Sequence, residues 1–200
     1  MVVSAVVGYL VGSLPFGYLA ARRWAGVDLR RVGSGNVGAT NVLRVSGPSL
    51  GVLVMAVDMT KGLAAVLLAG RVEASAVASV TAGVAAVMGH MFPIWLGGRG
   101  GKGVATACGA FALLAPVATA IAAAVFVSTV WFTRLVSLGS IAATASLPLA
   151  AVAAGDSVTV VNGSTVVALA VLWKHRGNVQ RMWQGRERRL GQPGGREPRA

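Results

Sequence analysis

Two short segments of the chain combine glycines with polar and basic side chains. The first runs from Gly33 to Asn41 and is followed by Arg44; the second covers residues 97–103 and carries Lys102. Glycines permit tight turns that direct backbone N–H groups at one anion, and Arg or Lys donates to phosphate oxygens. The pattern therefore predicts two phosphate-binding loops. The structural alternatives are a flexible linker and a glycine-rich turn whose charges only set the membrane topology.

The predicted donors are glycine amides, hydroxyls, carboxamides and one guanidinium. The candidate phosphate ligands are Ser34, Gly35, Asn36, Gly38, Thr40, Asn41 and Arg44 in the first loop, and Gly100, Gly101, Gly103 and Thr106 in the second. The second loop is not a nucleotide-binding P-loop, because that motif needs Gly at the position of Leu96 and Ser or Thr at that of Gly103. The sequence therefore gives no support for nucleotide hydrolysis.

Carboxylates are scarce beside these donors. Asp28 is the one acidic residue near either loop, so a divalent-metal site or a paired-carboxylate mechanism lacks its groups there. The sequence predicts a site for several phosphoryl groups without a metal or a cofactor.

Three ionisable residues stand within apolar segments. Asp58 and Lys61 are spaced i, i+3, on one helix face. Each costs about 2.5–3.5 kcal/mol at mid-bilayer on insertion scales, so they are expected to pair or to face a polar cavity. His90 is interpreted as a helix–helix hydrogen-bonding residue or a site residue, and Cys108 as a packing residue. Asp58, Lys61 and His90 are predicted to support the site, although Lys61 could also reach the anion.

The elements that hold these residues are membrane helices. Of the 200 residues, 55% are hydrophobic and 12% charged, with a mean hydropathy of +0.71. Soluble domains carry about 25% charged residues, and several apolar runs here approach the ~20 residues that span a bilayer. The net charge of +12 is concentrated between Arg22 and Arg44 and after Lys174. That distribution is typical of cytoplasmic loops, and without interleaved aromatic residues it does not indicate nucleic-acid binding.

Counting the basic loops gives the topology. Apolar spans are predicted over about residues 2–21, 48–70, 74–96, 141–154 and 158–173, and residues 104–132 form one span or two. Breaking the last run at Pro116 places every basic loop and the tail on one side. The fold class is therefore an all-α, polytopic membrane bundle of about seven transmembrane helices, with the N-terminus outside and the C-terminus cytoplasmic. Residues 1–190 are predicted to form one domain and residues 191–200 a disordered tail.

Five motifs in this order resemble those of one known family. They are Gly33–Arg44, Asp58–Gly62, Gly89–Pro93 continuing through Gly100–Thr106, Ser137–Gly139, and His175–Arg181. Together they resemble the bacterial acyl-phosphate:glycerol-3-phosphate acyltransferase family, often called PlsY. The resemblance covers all but about the last ten residues.

The resemblance implies acyl transfer from acyl-phosphate to the 1-hydroxyl of glycerol 3-phosphate, giving lysophosphatidate and phosphate at the first step of phospholipid synthesis. It implies a multi-pass protein of the bacterial inner membrane whose site faces the cytoplasm. The implied catalytic residues are Lys102, Ser137, His175 and Asn178. The expected partners are the two substrates and membrane lipid, with no nucleic acid and no obligate protein partner.

Other readings remain open at this point. A transporter or flippase for a phosphorylated compound would use the same anion loops, whereas a non-enzymatic scaffold explains the helices but not the loops. Whether His175, His90 or the substrate's phosphate takes the hydroxyl proton is also open. The sequence does not specify the acyl-chain length, the oligomeric state or the order of substrate binding.

Overall fold

A computed structural model of the chain describes residues 1–192, and within this range all regular secondary structure is helical, without a β-strand. The helices are α1 (Val2–Ser13), α2 (Phe16–Trp24), α3 (Ala39–Ser46), α4 (Pro48–Val72), α5 (Ala76–Met91), α6 (Val104–Leu114), α7 (Pro116–Thr133), α8 (Val136–Ala153), α9 (Val158–Lys174) and α10 (Arg176–Trp183). A short 3-10 turn, Ile94–Leu96, follows α5. The tail predicted to be disordered lies mostly outside the described residues.

Seven apolar segments account for the membrane bundle. Five are long and apolar enough to cross a bilayer: α1 with α2, α4, α5 with its 3-10 turn, α7 and α8. Helix α9 passes the same test together with α10, from which it is bent by 51°, and α6 is a shorter apolar helix. The predicted all-helical membrane fold is therefore confirmed.

The long apolar run between the second loop and Arg134 is broken at its proline, as the charge count required. Helix α6 ends at Leu114, α7 begins with Pro116 at its first position, and Ala115 alone joins them. Proline suits the first turn of a helix because its missing N–H has no intrahelical acceptor there. The run therefore forms two helices in place of one.

The start of α8 differs from the prediction. A polar break was expected over residues 134–140, but α8 already begins at Val136, so Ser137 and Ser140 belong to its first turns. The Ser140 hydroxyl donates to the Val136 carbonyl oxygen at 2.9 Å. A serine whose hydroxyl donates to a carbonyl oxygen of its own helix has its hydrogen bond satisfied there, so it can lie within the helix. Small polar residues were therefore a misleading signal for a loop.

Close contacts between helices depend on glycines. A Cβ atom added to Gly12 of α1 would lie 2.0 Å from the Ala86 carbonyl oxygen of α5. One added to Gly109 of α6 would lie 1.8 Å from the Met59 carbonyl oxygen of α4. In lipid, where the hydrophobic effect does not drive helices together, such small residues allow the backbone contact that holds them. Helix α1 is thereby held close to α5, and α6 is held close to α4; α4 and α5 border the site.

A separate apolar cluster anchors the first glycine loop. Leu29 and Val42, both fully buried, pack with Val37 of the loop and with Tyr18 and Val54 of α2 and α4. Burying such side chains contributes about 1.5–3 kcal/mol each. The apolar side chains of the loop therefore attach it to α2 and α4, and its polar side chains do not take part in this packing.

Candidate active site

One cavity of about 320 Å³ brings both glycine loops together with the helical bundle. Its polar end is bordered by side chains from the first loop, the second loop, the start of α8 and α10. The predicted site residues that line the cavity are Ser34, Asn36, Gly38, Thr40, Asn41, Arg44, Asp58, His90, Lys102, Gly103, Ser137, His175 and Asn178. Residues separated by more than 140 positions in the sequence therefore share one space.

The first loop is held in shape by one side chain, Asn41. Its amide nitrogen donates to the carbonyl oxygens of Asn36, at 2.8 Å, and of Val32, at 3.2 Å, and its Oδ1 accepts from the Ser34 N–H at 2.9 Å. Asn41 is only 2% exposed. Because its polar atoms bond to the loop, Asn41 organises the loop and leaves the side chains of Ser34 and Thr40 to face the cavity.

The second loop is attached to the end of α5 by its backbone. The Gly100 N–H donates to the Met91 carbonyl oxygen at 3.2 Å, and the Gly101 N–H donates to the His90 carbonyl oxygen at 3.1 Å. These two amides are therefore not available to a phosphate, contrary to the expectation of a backbone nest. Lys102, the next residue, supplies the side chain that reaches the cavity.

Five predicted site residues do not line the cavity. They are Gly35, Gly100, Gly101, Thr106 and Lys61. Thr106 is fully buried on the face of α6 that packs on α4, since a Cβ atom on Gly62 would lie 2.1 Å from the Thr106 carbonyl oxygen. Thr106 therefore contributes to helix packing, and the predicted role in phosphate binding does not follow from its position.

The buried ionisable residues form a group at the wall of the cavity, which Asp58 and His90 line. Lys61 Nζ lies 2.9 Å from Asp58 Oδ1 and donates to the Leu14 carbonyl oxygen at 3.1 Å. His90 Nδ1 lies 3.6 Å from the same Asp58 oxygen. Lys61 is thus directed toward the break between α1 and α2, and it does not line the cavity. His90 carries the backbone oxygen that holds Gly101, so this group supports the second loop.

Lys102 is the cation at the centre of the polar end. Its Nζ hydrogen-bonds to Asn178 Oδ1, which lies on α10. Burial lowers the pKa of Lys102 to about 8, and the nearby charges of Arg181 and Arg44 lower it as well. At neutral pH the ammonium is still mostly protonated. Its reduced solvation strengthens any contact with an anion, because charge interactions are stronger where water is excluded.

His175 stands at the junction of α9 and α10 and is 1% exposed. Its Nδ1 is 2.8 Å from the Val171 carbonyl oxygen. A carbonyl only accepts hydrogen bonds, so Nδ1 carries the proton, which leaves Nε2 as an acceptor. Burial, followed by the charge of Lys102, lowers the pKa of His175 to about 4. The imidazole is therefore neutral at pH 7.

Glu187 is a site residue that the sequence argument missed. Its carboxylate accepts from Asn178 Nδ2 at 2.7 Å and from Arg181 Nε at 2.8 Å. Burial alone would raise the pKa of Glu187, but hydrogen bonds from Asn178 and Ser137 and the charge of Arg181 together hold it below its usual value. Glu187 thus adds to the site a carboxylate that lies outside the two loops and that the sequence argument did not include. Because Nδ2 faces Glu187, the Asn178 oxygen is directed at Lys102.

Glu187 reaches the site because the segment after α10 folds back across the bundle. Leu190 N–H donates to the Arg134 carbonyl oxygen at 2.6 Å, and Arg44 Nη2 donates to the Arg188 carbonyl oxygen at 3.2 Å. These contacts connect the tail to the turn between α7 and α8 and to α3. The available sequence signal was a single carboxylate close to Arg181, six residues beyond the last matched motif.

The other end of the cavity is apolar and runs between α6, α7 and α8. Its lining includes Phe111, Phe126 and Leu147, with small residues between them. Cys108 also lines this part and is half-buried, so it borders the cavity in addition to packing. The site therefore joins a cationic pocket to an apolar groove, as a phosphorylated molecule with a long hydrocarbon chain requires.

Residues 2–185 match the family model described as glycerol-3-phosphate acyltransferase. Relatives named glycerol-3-phosphate acyltransferase include one from Synechococcus sp. (strain CC9902), 46% identical over 94% of both chains. Another, from Myxococcus xanthus (strain DK1622), is 45% identical over 92% of this chain and 97% of the relative.

Two solved structures of PlsY, described as an integral membrane glycerol 3-phosphate acyltransferase, have the same fold. The glycerol 3-phosphate form is 41% identical with a TM-score of 0.89, and the lysophosphatidic acid form is 39% identical with a TM-score of 0.87. Each comparison covers 95% of both chains. With the cavity and the matched length, these findings establish that the chain belongs to the glycerol-3-phosphate acyltransferase family of integral membrane enzymes.

Proposed function

We propose that this chain transfers a fatty acyl group from acyl-phosphate to the 1-hydroxyl of glycerol 3-phosphate, releasing lysophosphatidate and inorganic phosphate. The observation that carries the proposal is the continuity of the cavity, in which Arg44, Lys102 and Arg181 border the end of an apolar groove. An acyl-phosphate has a strongly anionic head and a long chain, and it fits both parts at once.

The reaction needs no covalent enzyme intermediate. An acyl-phosphate is a mixed anhydride with a good leaving group, so the attacking hydroxyl can displace phosphate directly. The enzyme must then hold two substrates in contact and stabilise the negative charge that develops, which are the two largest sources of rate enhancement. Neither a metal nor a cofactor takes part in the proposed reaction.

The donor phosphate is assigned to the first loop and Lys102. Ser34, Thr40 and Arg44 offer two hydroxyls and a guanidinium to its oxygens. Lys102 lies between this loop and α10, because its Nζ bonds to Asn178. It is therefore placed to contact the donor and acceptor phosphates together.

The acceptor is assigned to the side of the cavity formed by α8 and α10. Ser137, Asn178 and Arg181 line it there, and Arg181 supplies a second cation for the phosphate of glycerol 3-phosphate. His175, with Nε2 free to accept, would take a hydrogen bond from the 1-hydroxyl and orient its oxygen toward the acyl carbon. Glu187 fixes the Asn178 amide in the orientation that this arrangement needs.

The proton released by the hydroxyl is assigned to the leaving phosphate. With a pKa of about 4, His175 is a weak proton acceptor at neutral pH. Attack by the hydroxyl breaks the bond between the acyl carbon and the phosphate oxygen, and this oxygen gains a negative charge as it leaves. The leaving phosphate therefore takes the proton more readily than this imidazole. His175 accordingly acts by orienting the hydroxyl, and it need not become charged.

The site is assigned to the cytoplasmic side of the bacterial inner membrane. All five tryptophans stand at the same end of the bundle as the two loops, at the ends of α2, α7, α9 and α10 and in the 3-10 turn. Tryptophan is enriched at membrane interfaces and arginine at cytoplasmic ones. Thiol labelling of Ser49→Cys in intact cells tests this, because labelling by a membrane-impermeant reagent without lysis contradicts the orientation.

The activity is tested with the purified chain in detergent, lauroyl phosphate and radiolabelled glycerol 3-phosphate. Labelled lysophosphatidate is the expected product, and lauroyl-coenzyme A or unphosphorylated glycerol in separate reactions should give none. Product from the thioester but not from the phosphate would overturn the assignment of the donor. Absence of product with either donor, together with uptake of label into proteoliposomes, would favour the transporter reading.

A further inference from the structure

The apolar part of the cavity changes character along its length. Helix α7 contributes a stripe with helical spacing, Thr119, Ala122, Ala123, Phe126 and Val127. Helix α8 contributes a matching stripe that starts at Ser137 and ends at Leu147. On both stripes small residues occupy the middle, so the groove is widest between its polar end and its deep end.

The deep end is closed by larger, buried side chains. Phe111 of α6 is fully buried, and Leu147 and Thr119 are 5% and 8% exposed. They border the cavity close to Ala115, the single residue at which α6 turns into α7. Because Ala115 alone joins α6 to α7, the two helices are close together there, and the space between them narrows toward this point.

We infer that Phe111, Thr119 and Leu147 form a floor that limits the length of the acyl chain. The inference rests on the proposed function, because it takes the occupant of the groove to be the hydrocarbon chain of the acyl-phosphate. A chain whose carboxyl carbon lies beside Ser137 extends along α8 toward Leu147. Its terminal methyl group meets the floor when the chain fills the groove, and a longer chain has to bend or displace these side chains.

The depth of the groove gives a length. Ten residues of α8 separate Ser137 from Leu147, which corresponds to about 15 Å at 1.5 Å per residue. An extended hydrocarbon advances about 1.25 Å per carbon, given bonds of about 1.5 Å in staggered geometry, so roughly 12 carbons fill this distance. Donors near this length are the expected substrates of the unmodified chain, and much longer donors are expected to be poorer.

Two variants move the floor in opposite directions. Leu147→Ala removes three carbon atoms from the floor and should shift the preferred donor by about two to three carbons toward longer chains. Ala143→Leu fills the groove one helical turn nearer the polar end. It should therefore shift the preference toward shorter chains, with at least a tenfold loss in the ratio of kcat/KM for a 14-carbon donor to that for an 8-carbon donor.

The controls are equivalent changes on lipid-facing positions of the same helices. Leu149 of α8 is 72% exposed, and Ala124 of α7 is exposed as well. Leu149→Ala and Ala124→Leu should keep the chain-length profile of the unmodified enzyme. Monodisperse elution in detergent confirms that each variant is folded before its profile is measured.

Acyl-phosphates of 8 to 18 carbons with labelled glycerol 3-phosphate provide the measurement. Opposite shifts by the two groove variants support the floor. An equal loss at every length, or two unchanged profiles, overturns it. Val127 lines the cavity and is 62% exposed. Unchanged profiles would therefore indicate that the acyl chain leaves the groove beside Val127. No transfer by the unmodified chain at any length would instead contradict the proposed function.

Discussion

The two glycine loops border the same cavity, but they use their glycines differently. In the first loop, Gly35 has a φ of +69° and a Cβ atom added to it would meet nothing closer than 3.5 Å. In the second loop, a Cβ atom on Gly100 would lie 2.1 Å from the His90 carbonyl oxygen. The first glycine is needed for backbone conformation, and the second is needed for contact between two backbones.

This difference indicates different roles for the two loops: the first offers side chains to a ligand, and the second holds Lys102 in position. The first loop is held together by the Asn41 side chain, so its neighbouring hydroxyls are left to bind a ligand. The second loop is held against α5 by its amides, and it presents chiefly Lys102. A glycine-rich, basic motif therefore does not by itself indicate that backbone amides bind the anion. The hydrogen-bond partners of each amide decide the question.

The largest effect is expected from removing the cation of the second loop. Lys102→Ala should lower kcat/KM by about 10³-fold, since one preorganised donor to developing charge contributes about 10²–10³-fold and Lys102 is placed to contact both phosphates. Arg99→Ala, an exposed position in the same loop, is the matched control and should retain activity. Near-normal transfer by Lys102→Ala in folded protein would refute its central role.

Much of this comparison could be predicted from the sequence. The helices follow from apolar length, the break before Pro116 from charge placement, and the shared side of the two loops from counting crossings. The position of Glu187 could not be predicted, because it depends on contacts such as that of Leu190 N–H with the Arg134 carbonyl oxygen, 56 residues away. The amide partners of Gly100 and Gly101 likewise depend on tertiary packing against α5.

A smaller loss is expected when the backbone contact of the second loop is crowded. Gly100→Ala forces the loop away from the His90 carbonyl oxygen, and misplacing a catalytic group by about 1 Å can cost about 10²-fold. Gly35→Ala is the comparison in the first loop. It adds only the strain of a positive φ, about 1–2 kcal/mol, without a clash.

The ratio of the two effects tests the distinction between the loops. Gly100→Ala should lower kcat more than Gly35→Ala does, because it displaces Lys102, and it should also lower thermal stability, because the loop backbone has to move away from the His90 carbonyl oxygen. Activity assays and thermal unfolding in detergent measure both quantities. A larger loss of kcat in Gly35→Ala than in Gly100→Ala would mean that the first loop, and not the second, controls the position of the reacting groups.

Loss of the side chain that organises the first loop should affect substrate binding. Asn41→Ala leaves the Ser34 N–H and the partly buried carbonyl oxygens of Val32 and Asn36 without this partner, at up to about 1–3 kcal/mol for each unsatisfied group. The KM for acyl-phosphate should rise by roughly 10-fold, with a smaller change in kcat. Asn162→Ala, at an exposed position of α9, is the control. An unchanged KM would show that the loop keeps its shape without Asn41.

The smallest effect is a pH dependence that belongs to the second loop alone. Burial, together with neighbouring positive charges, lowers the pKa of Lys102 to about 8. Its cation is therefore present below this pH and lost above it, so kcat/KM should fall about tenfold at pH 9, one unit above the pKa. The first loop relies on Arg44, whose guanidinium stays charged throughout this range.

Lys102→Arg tests whether deprotonation of Lys102 causes the fall in kcat/KM above pH 8. Arginine remains protonated at pH 9, so the alkaline fall should disappear even if the variant is slower overall. The substrate phosphates lose their second proton near pH 6 and do not change above pH 7.5. Between pH 5 and 7 no fall due to His175 is expected, because its pKa is about 4. An alkaline fall that persists in Lys102→Arg would assign the titration to a different group, and the second loop would lose its distinguishing feature.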